Sequence, residues 1–373
     1  MSRPLRVLLL CDRLDISGGV ERFVCGLANH LSREGMQVAV GSVDTRREAV
    51  RYPLSAEVRV LHGEAGPGQP VEAASRLGRA WNLLRTQWRI GRVLSGLIRR
   101  DSPDVIVLNG LTTACSVLLF SRRFASRTIC CDHNHFNARS QLWQRLRAWL
   151  YPQVAAVVSL TEADAPRFRA LNARTQVIYN TAALRADRPA LPTQPLVMAV
   201  GRHVAQKGFD LLLQAWVAVA RAVPQAQLRI VGDGPLRAEH QRLAATLGLH
   251  PIDWREPTPQ IESLYREAAV FVLPSRYEGM PLALLEAQAL GLPAVAFDCP
   301  TGPGEILTSD TGRLVPAVDV AGLASALVEL LSSAELRERM GRAAIARSRE
   351  VFSPQAHEAR WTALVRRVAL SQV

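Results

Sequence analysis

Lysine is almost missing from this chain: of its 45 basic residues only Lys207 is a lysine, and the rest are arginines. An ammonium is a compact point donor and a guanidinium a planar fork, so a lone lysine among arginines marks a position where a point charge is wanted, as for a diphosphate. A solvated loop with one chance lysine is the competing reading of that residue taken alone. Apolar runs of 18 or more residues are also missing, which argues against a membrane-spanning helix. The opening MSRPLRVLLLCDRLD meets Asp12 and Arg13 before its apolar run is long enough for a secretory leader, so it is expected to be the first buried strand. Six cysteines lie mostly in apolar stretches with no CxxC pair, and reduced, buried thiols in a cytosolic protein are expected rather than a disulfide framework. Cys131, His133 and His135 would share one face of a strand, but no fourth ligand stands at metal spacing and no metal is expected. No nucleic-acid-binding motif accompanies the arginines, so nucleic acid is not expected as a partner.

What is present is enough for two ordinary domains: 373 residues, 48% of them hydrophobic. The formal charge of +12 is lopsided, with 26 arginines against 14 acidic residues in 1–185 and 19 basic against 19 acidic residues in 186–373. A basic half beside a neutral one implies an anionic surface or acceptor met by the first half.

Short apolar runs predict strands at Leu5–Cys11, Gln37–Val43, Val58–Leu61, Val105–Leu108, Thr128–Cys131, Ala156–Leu160 and Gln176–Tyr179, mostly with helical patterns between them. LRADRPALPTQP, Leu184–Pro195, has three prolines and no hydrophobic period and reads as a linker. A second series follows at Leu196–Val200, Leu228–Val231, Ile252–Trp254, Val270–Leu273, Ala294–Phe297 and Arg313–Val315. Strands alternating with helices predict parallel sheets covered on both faces. The expected division is an α/β domain over 1–185, a second over 186–350, and a terminal helical segment over 351–373, with a cleft at the strand carboxyl ends.

The segment PSRYEGMPLALLEAQALG, Pro274–Gly291, reads as a strand end, a turn and a helix start. Gly279 is expected to permit a positive φ, and Pro281 to take the first helical position, where its missing N–H costs nothing. Free N–H groups at such a helix start suit an anion, most commonly a phosphate. Glu278 and Glu286 bracket the turn, and a carboxylate can accept both hydroxyls of a vicinal diol. By themselves they read equally well as a solvated turn residue and a surface helix residue. In GRHVAQKGFD, Gly201–Asp210, Arg202 and Lys207 are placed to reach the strand ends, and VGDGP around Gly232 offers close backbone approach.

The ordered set GGVER (Gly18–Arg22), GRHVAQKG (Gly201–Gly208), VGDGP (Val231–Pro235), EGMPLALLE (Glu278–Glu286) and FDCPTGPGEI (Phe297–Ile306) resembles the family-four retaining glycosyltransferases of the GT-B fold across nearly the whole chain. The resemblance implies two doubly wound Rossmann-like domains facing each other across a cleft, the first for the acceptor and the second for a nucleotide-sugar donor, with the C-terminal helix crossing back. It implies transfer with retention from a nucleotide-sugar, expected to be UDP-linked, to a lipid-linked or cell-surface polysaccharide or lipopolysaccharide precursor. Arg202 and Lys207 would hold the donor diphosphate, Glu278 the sugar hydroxyls, Glu286 the ribose, and Met280, Pro281 and Leu282 would begin the helix facing the phosphate. Gly18, Gly19, Gly201, Gly232 and Gly279 would line the donor site. His133 matches the family's first-domain histidine, with His135 as its local competitor. No cofactor is implied, since the nucleotide-sugar is a substrate. The sequence departs from the family at YNTA, where Asn180 alone matches, and at WREPTPQI, where the usual glycine is missing; Trp254 and Arg255 are placed near the base. A noncatalytic sugar-nucleotide or glycan binder and a nucleotide-sugar epimerase are the alternatives within the fold.

Two first-half segments join arginine to tryptophan, Arg76–Arg100 and Arg139–Tyr151. Such helices suit an anionic bilayer, which would place the protein peripherally on the inner face of the membrane. Equally, Trp81, Leu84, Trp88, Trp143 and Trp149 could pack inward beneath solvated arginines.

Overall fold

The computed structural model describes residues 3–16, 18–63 and 76–371. Its packing separates two units, residues 1–178 with 358–373, and residues 179–357.

In the first unit β1 (Arg6–Leu10), α1 (Gly19–Arg33), β2 (Gln37–Ser42), β3 (Arg59–His62), α2 (Arg76–Asp101), β4 (Val105–Asn109), α3 (Leu111–Ser121), β5 (Thr128–Cys131), α4 (Gln141–Leu150), β6 (Ala156–Ser159), α5 (Ala165–Leu171) and β7 (Thr175–Val177) follow one another. All seven strands are parallel, in the order β3-β2-β1-β4-β5-β6-β7. RVLLL, VIVLN and AVVS are near-continuous apolar runs because strands buried on both faces need no alternation. Leu8, Leu10, Ile106 and Leu108 of the sheet share one core with Leu94 and Leu97 of α2, Val117 and Leu118 of α3, Trp143 of α4 and Phe168 of α5.

The second unit runs β8 (Leu196–Val200), α6 (Phe209–Ala222), β9 (Gln227–Val231), α7 (Arg237–Thr246), β10 (Ile252–Arg255), α8 (Ile261–Glu267), β11 (Val270–Leu273), α9 (Leu282–Ala289), β12 (Ala294–Asp298), α10 (Pro303–Ile306), β13 (Gly312–Pro316), α11 (Val320–Ser332) and α12 (Ala334–Val351). Its six parallel strands are ordered β10-β9-β8-β11-β12-β13. A last helix, α13 (Pro354–Leu370), starts beneath the Ser353 hydroxyl, which accepts from the Ala356 amide at 3.4 Å. From Glu358 onward this helix belongs to the first unit. There Trp361 meets Phe23 of α1 edge-on at 5.6 Å and the Thr362 hydroxyl lies 2.8 Å from His30 Nε2.

In both sheets the strand order reverses beside the first strand while all strands stay parallel: β1 pairs with β2 on one side and β4 on the other, and β8 with β9 and β11. At such a switch point the helices leave on opposite sides, and a crevice opens at the strand carboxyl ends.

The strand predictions hold to within a residue or two. The proline-rich 184–195 stretch is laid on the second unit: the Ala186 amide donates to Ala289 O at 3.2 Å, Arg349 bonds Ala186 O and Asp187, and Pro189 seats against Gly291 and Gly341. All six cysteines are buried and unpaired, as expected. Burial pushes their thiols up, Cys25 to about 11 and Cys299 to about 12. The five apolar residues divide between the two readings: Trp143 is buried, whereas Trp81, Leu84, Trp88 and Trp149 are exposed. The side chains of Arg76 and Arg79 lie outside the described residues. Among the described residues no helix is long and apolar enough to cross a membrane.

Candidate functional site

In the second unit the loops leaving β8 and β11, neighbours at the switch point, meet side chain to side chain. After β8 the chain makes a single 3-10 turn, Ala205–Lys207, and leaves it through Gly208 at φ +64°. Only glycine fits there: the conformation is left-handed, and a Cβ would overlap the carbonyl oxygen of Pro274. This close approach delivers Lys207 to the loop after β11, where its Nζ donates to Glu278 Oε1 at 2.6 Å. Ser275 Oγ donates to the same oxygen at 2.7 Å. The loops are further tied by Arg276, whose guanidinium forks onto Asp210 at 2.8 and 2.6 Å and donates to Ala205 O, and by Gln206 donating to Tyr277 O at 2.9 Å. That fork holds the Asp210 carboxyl below its ordinary value. Lys207 is thus positioned from both sides, and its stem runs against the backbone of Gly201.

Glu278 and Glu286 are both buried. Glu278 is ion-paired with Lys207, and its backbone carbonyl is fixed by Thr301 Oγ1 at 2.7 Å. Glu286 lies on α9, where the Tyr265 hydroxyl donates to its Oε2 at 3.2 Å. Two expectations for this turn are corrected. Pro281 is the residue preceding the helix, extended at φ −71° and ψ 111°, and Leu282 is the first helical residue. Gly279 is not among the positive-φ glycines; that conformation falls on Gly302 at φ +92°, from which a Cβ would overlap the carbonyl oxygen of Gly279. The tight element is therefore the TGPG loop pressed on the turn. Met280 is buried, and its carbonyl accepts from Asn180 Nδ2 at 3.2 Å, which gives the one matched residue of YNTA a structural purpose. The first amides of α9, at Leu282 and Ala283, have no carbonyl a turn earlier to bond within the helix, so they are donors at the end of the turn that Glu278 begins.

Arg202 is exposed on the same β8 loop. Between it and Lys207 stands His203, fully buried, with its Nδ1 2.8 Å from Nδ1 of His240 on α7. One ring must donate and the other accept, and burial holds His203 down to about 4, so it stays neutral. Gly232, at φ +149°, lies flat on Gly201, whose carbonyl oxygen a Cβ would overlap. Trp254 and Arg255 sit on β10, an edge strand two places from β8. Trp254 packs toward His203 at 5.8 Å and Arg255 donates to Asp253 at 2.6 Å.

In the first unit a cavity of about 140 Å³ lies at the β1–β4 switch point, lined by Asp12, Glu21, Asn109, Thr113, His133, His135 and Arg139 among others. Gly18 caps α1 and Gly19 opens it, and a Cβ on Gly18 would run into the buried Glu21 carboxylate. The Thr113 hydroxyl donates to Asp12 at 2.5 Å, and burial, the larger influence, raises the Asp12 carboxyl. His133 follows β5. Its Nε2 lies 3.0 Å from Asn109 Oδ1, and Asn109 Nδ2 donates to Leu10 O, so the amide is oriented and Nε2 must carry the proton. Nδ1 is left as an acceptor, and desolvation pulls the ring down to about 4. His135 lines the same cavity and is lowered for the same reason.

Beneath His133 is a network that sequence reading missed. Asp132 accepts from Arg147 at 3.2 Å and Tyr151 at 2.6 Å, all three buried, and the Arg147 guanidinium lies 3.4 Å over the Phe136 ring. An acidic residue at the end of an apolar strand, beside the singled-out histidine, was the available signal. Asn109, Thr113, Ser275 and Tyr265 had none, since each is recognisable only by what lies opposite. Among the described residues no three His, Cys, Asp or Glu converge in a group that would hold a metal ion.

Residues 194–333 match the family described as Glycosyl transferases group 1, and residues 17–185 match Glycosyltransferase Family 4. The amylovoran biosynthesis glycosyltransferase AmsD of Erwinia amylovora is 29% identical over 95% of this chain and 98% of its own. Among solved structures, sucrose-phosphate synthase of Thermosynechococcus elongatus superposes with a TM-score of 0.81 at 20% identity, covering 98% of this chain and 100% of that one. A single-residue mutant of S. aureus TarM, in complex with fondaparinux, α-GlcNAc-glycerol and UDP, gives 0.79 at 12% identity, covering 97% and 99%. With both halves matched and a relative aligned nearly end to end, the chain belongs to the group 1 glycosyltransferases and has their GT-B fold.

Proposed function

We propose that this protein transfers a sugar, with retention of anomeric configuration, from a UDP-linked donor to a lipid-linked or cell-surface polysaccharide precursor. The observation that carries the reading is the meeting of Lys207 and Glu278 at the β8–β11 switch point, in the turn that leads into α9. Departure of a nucleoside diphosphate builds negative charge on its phosphate oxygens, and preorganised donors stabilise that charge most where it develops. In this reading Lys207 turns from Glu278 toward the diphosphate, Arg202 supplies a second cation, and the α9 amides a third set of donors, so the reaction needs no metal or cofactor. Glu278, freed from Lys207 but still held by Ser275, accepts from sugar hydroxyls; Glu286, braced by Tyr265, accepts from the ribose. His133, neutral and with Nδ1 as an acceptor, is assigned to a sugar hydroxyl rather than to proton transfer, because a ring titrating at about 4 is not a base poised for neutral pH. Retention is assigned to attack from the face the diphosphate leaves, with the departing phosphate taking the acceptor's proton.

The donor class is supported by the UDP in the TarM complex, and the acceptor class by the polysaccharide named for AmsD. The buried thiols fit a cytosolic location, and the basic first half fits an anionic membrane bearing the acceptor. The test is a panel of UDP- and GDP-linked sugars with a membrane-lipid acceptor fraction, with and without EDTA, followed by NMR of the product's anomeric proton. Turnover with a UDP-sugar, indifferent to EDTA and giving the donor's anomeric configuration, is expected. An inverted product, loss of activity with EDTA, or preference for a GDP-sugar removes the corresponding part of the reading.

A further inference from the structure

The first unit keeps a face of tryptophan, leucine and arginine that its core does not use. On α2, Trp81, Leu84 and Trp88 fall at i, i+3 and i+7 and stand out in solvent, Trp81 at 69% and Trp88 at 52% exposure, while Leu94, Leu97 and Ile98 of the same helix are buried. The helix α3 packs against both α2 and α4 and joins them across this face. Its Phe120 meets Trp88 at 6.1 Å, its Leu119 is exposed, and Arg122, directly after it, lays its guanidinium 4.6 Å over Trp149 of α4. Arg92 lies over Trp88 at the same distance, and Leu142 of α4 is also exposed. Arg85, Arg123 and Arg145 are exposed as well.

The charge here is single-signed. From Arg76 to Tyr151 there are 13 arginines and three acidic residues, Asp101, Asp104 and Asp132. None of the three offers free charge to the surface: Asp101 is paired with Arg59 and Arg6, Asp104 with Arg3, and Asp132 with Arg147. Exposed large apolar side chains rimmed by cations mark an interaction face. Exposed Leu84, Leu119 and Leu142 add aliphatic surface that base stacking does not use, and no nucleic-acid-binding motif accompanies the arginines, so lipid fits this face better than nucleic acid. A second copy of the same face would set arginine against arginine. Indole rings with arginines around them match the boundary between headgroups and acyl chains of an anionic bilayer.

We propose that the α2–α3–α4 face docks on an anionic lipid bilayer, with Trp81, Leu84, Trp88, Leu142 and Trp149 at the headgroup boundary and the arginines against lipid phosphates. This rests on, and localises, the membrane part of the proposed function, and it needs no assumption about the donor. The experiment is flotation of the full chain with phosphatidylcholine vesicles, with and without phosphatidylglycerol, at low and high salt. Wild type should float only with the anionic vesicles and release with salt. The Trp81→Ala/Trp88→Ala variant should bind at least roughly tenfold more weakly, and Arg122→Glu/Arg145→Glu should lose at least about fivefold for each charge near the surface. Wild type left wholly unbound at low salt, equal flotation of the tryptophan variant, or equal binding to neutral vesicles would overturn the proposal. So would a concentration-dependent dimer, or duplex DNA binding without vesicle binding, that disappears in the tryptophan variant. Nucleotide release from the donor alone, measured on the same variants, should match wild type. If vesicles bind and no donor is ever turned over, the enzyme reading fails and the docking face stands.

Discussion

Replacing Lys207 with alanine separates a structural role from a chemical one. In the folded protein its ammonium is 2.6 Å from Glu278 Oε1, with 20% of the lysine side chain and 7% of the glutamate side chain exposed. The pair lies between the surface regime, worth at most ~1 kcal/mol, and the fully buried regime, where breaking one partner costs ~3–5 kcal/mol. A loss of about 2 kcal/mol is expected, which lowers Tm by roughly 4–8 °C and leaves the protein folded at assay temperature. Ser275 remains on the same oxygen, so the carboxylate is not abandoned. Catalysis should suffer more: losing one preorganised donor to a developing charge costs ~10²–10³ in kcat. Lys207→Arg should recover stability better than rate, because a planar fork cannot fit a stem packed against Gly201 with an Nζ aimed at one oxygen. Nucleotide release under saturating donor, with a melt on the same samples, measures both. If Lys207→Ala turns over within threefold of wild type while its Tm falls, the lysine is only a structural partner of Glu278, and the leaving-group argument is wrong.

Three further outcomes follow from particular contacts. Tyr265→Phe removes the hydroxyl that braces Glu286 at 3.2 Å; donor KM should rise about fivefold, the equivalent of ~1 kcal/mol for one hydrogen bond, with kcat nearly unchanged in steady-state kinetics. Gly208→Ala must adopt φ +64° and push against Pro274 O; urea unfolding should show a loss of roughly 2 kcal/mol or more. His133 and His203 are both held down to about 4 in the folded protein, below the ordinary value of 6.5. The unfolded chain therefore binds more protons between those values, so stability is fully present above pH 6.5 and falls as pH drops toward 4, by up to about 3 kcal/mol per ring. A urea midpoint flat from pH 7 to 4.5 in the wild type, or equally pH-dependent in His203→Asn, would contradict that assignment.

Strand runs such as VIVLN and VFVL were legible because doubly covered strands are continuous in their apolar character, and the glycines of GRHVAQKG and VGDGP because tight turns after such strands require them. Strand order was not legible: nothing local in β11 says that it pairs with β8 rather than with β10, yet that pairing brings Lys207 to Glu278 across 71 residues of sequence. The helix start at EGMPL was misplaced by one residue because Pro281 suits a cap as well as a first turn, and the demand for a positive φ passed to Gly302, a loop away. The tryptophans of α2 and α4 could not be sorted from spacing alone; only the position of α3 between those helices shows that Trp143 enters the core and Trp88 and Trp149 do not. The resemblance points to His133 with His135 as its competitor, and both line one cavity; what marks His133 physically is Asn109, a residue 24 positions earlier that fixes its tautomer.

The most direct test of the central claim is a stoichiometry: with wild-type protein, a UDP-sugar donor and a membrane-lipid acceptor fraction, nucleoside diphosphate released and sugar transferred are measured in the same reaction. One diphosphate per sugar transferred, both abolished together in Lys207→Ala, is the predicted result. A changed sugar with no diphosphate released, or donor binding with neither product across the panel, would contradict it.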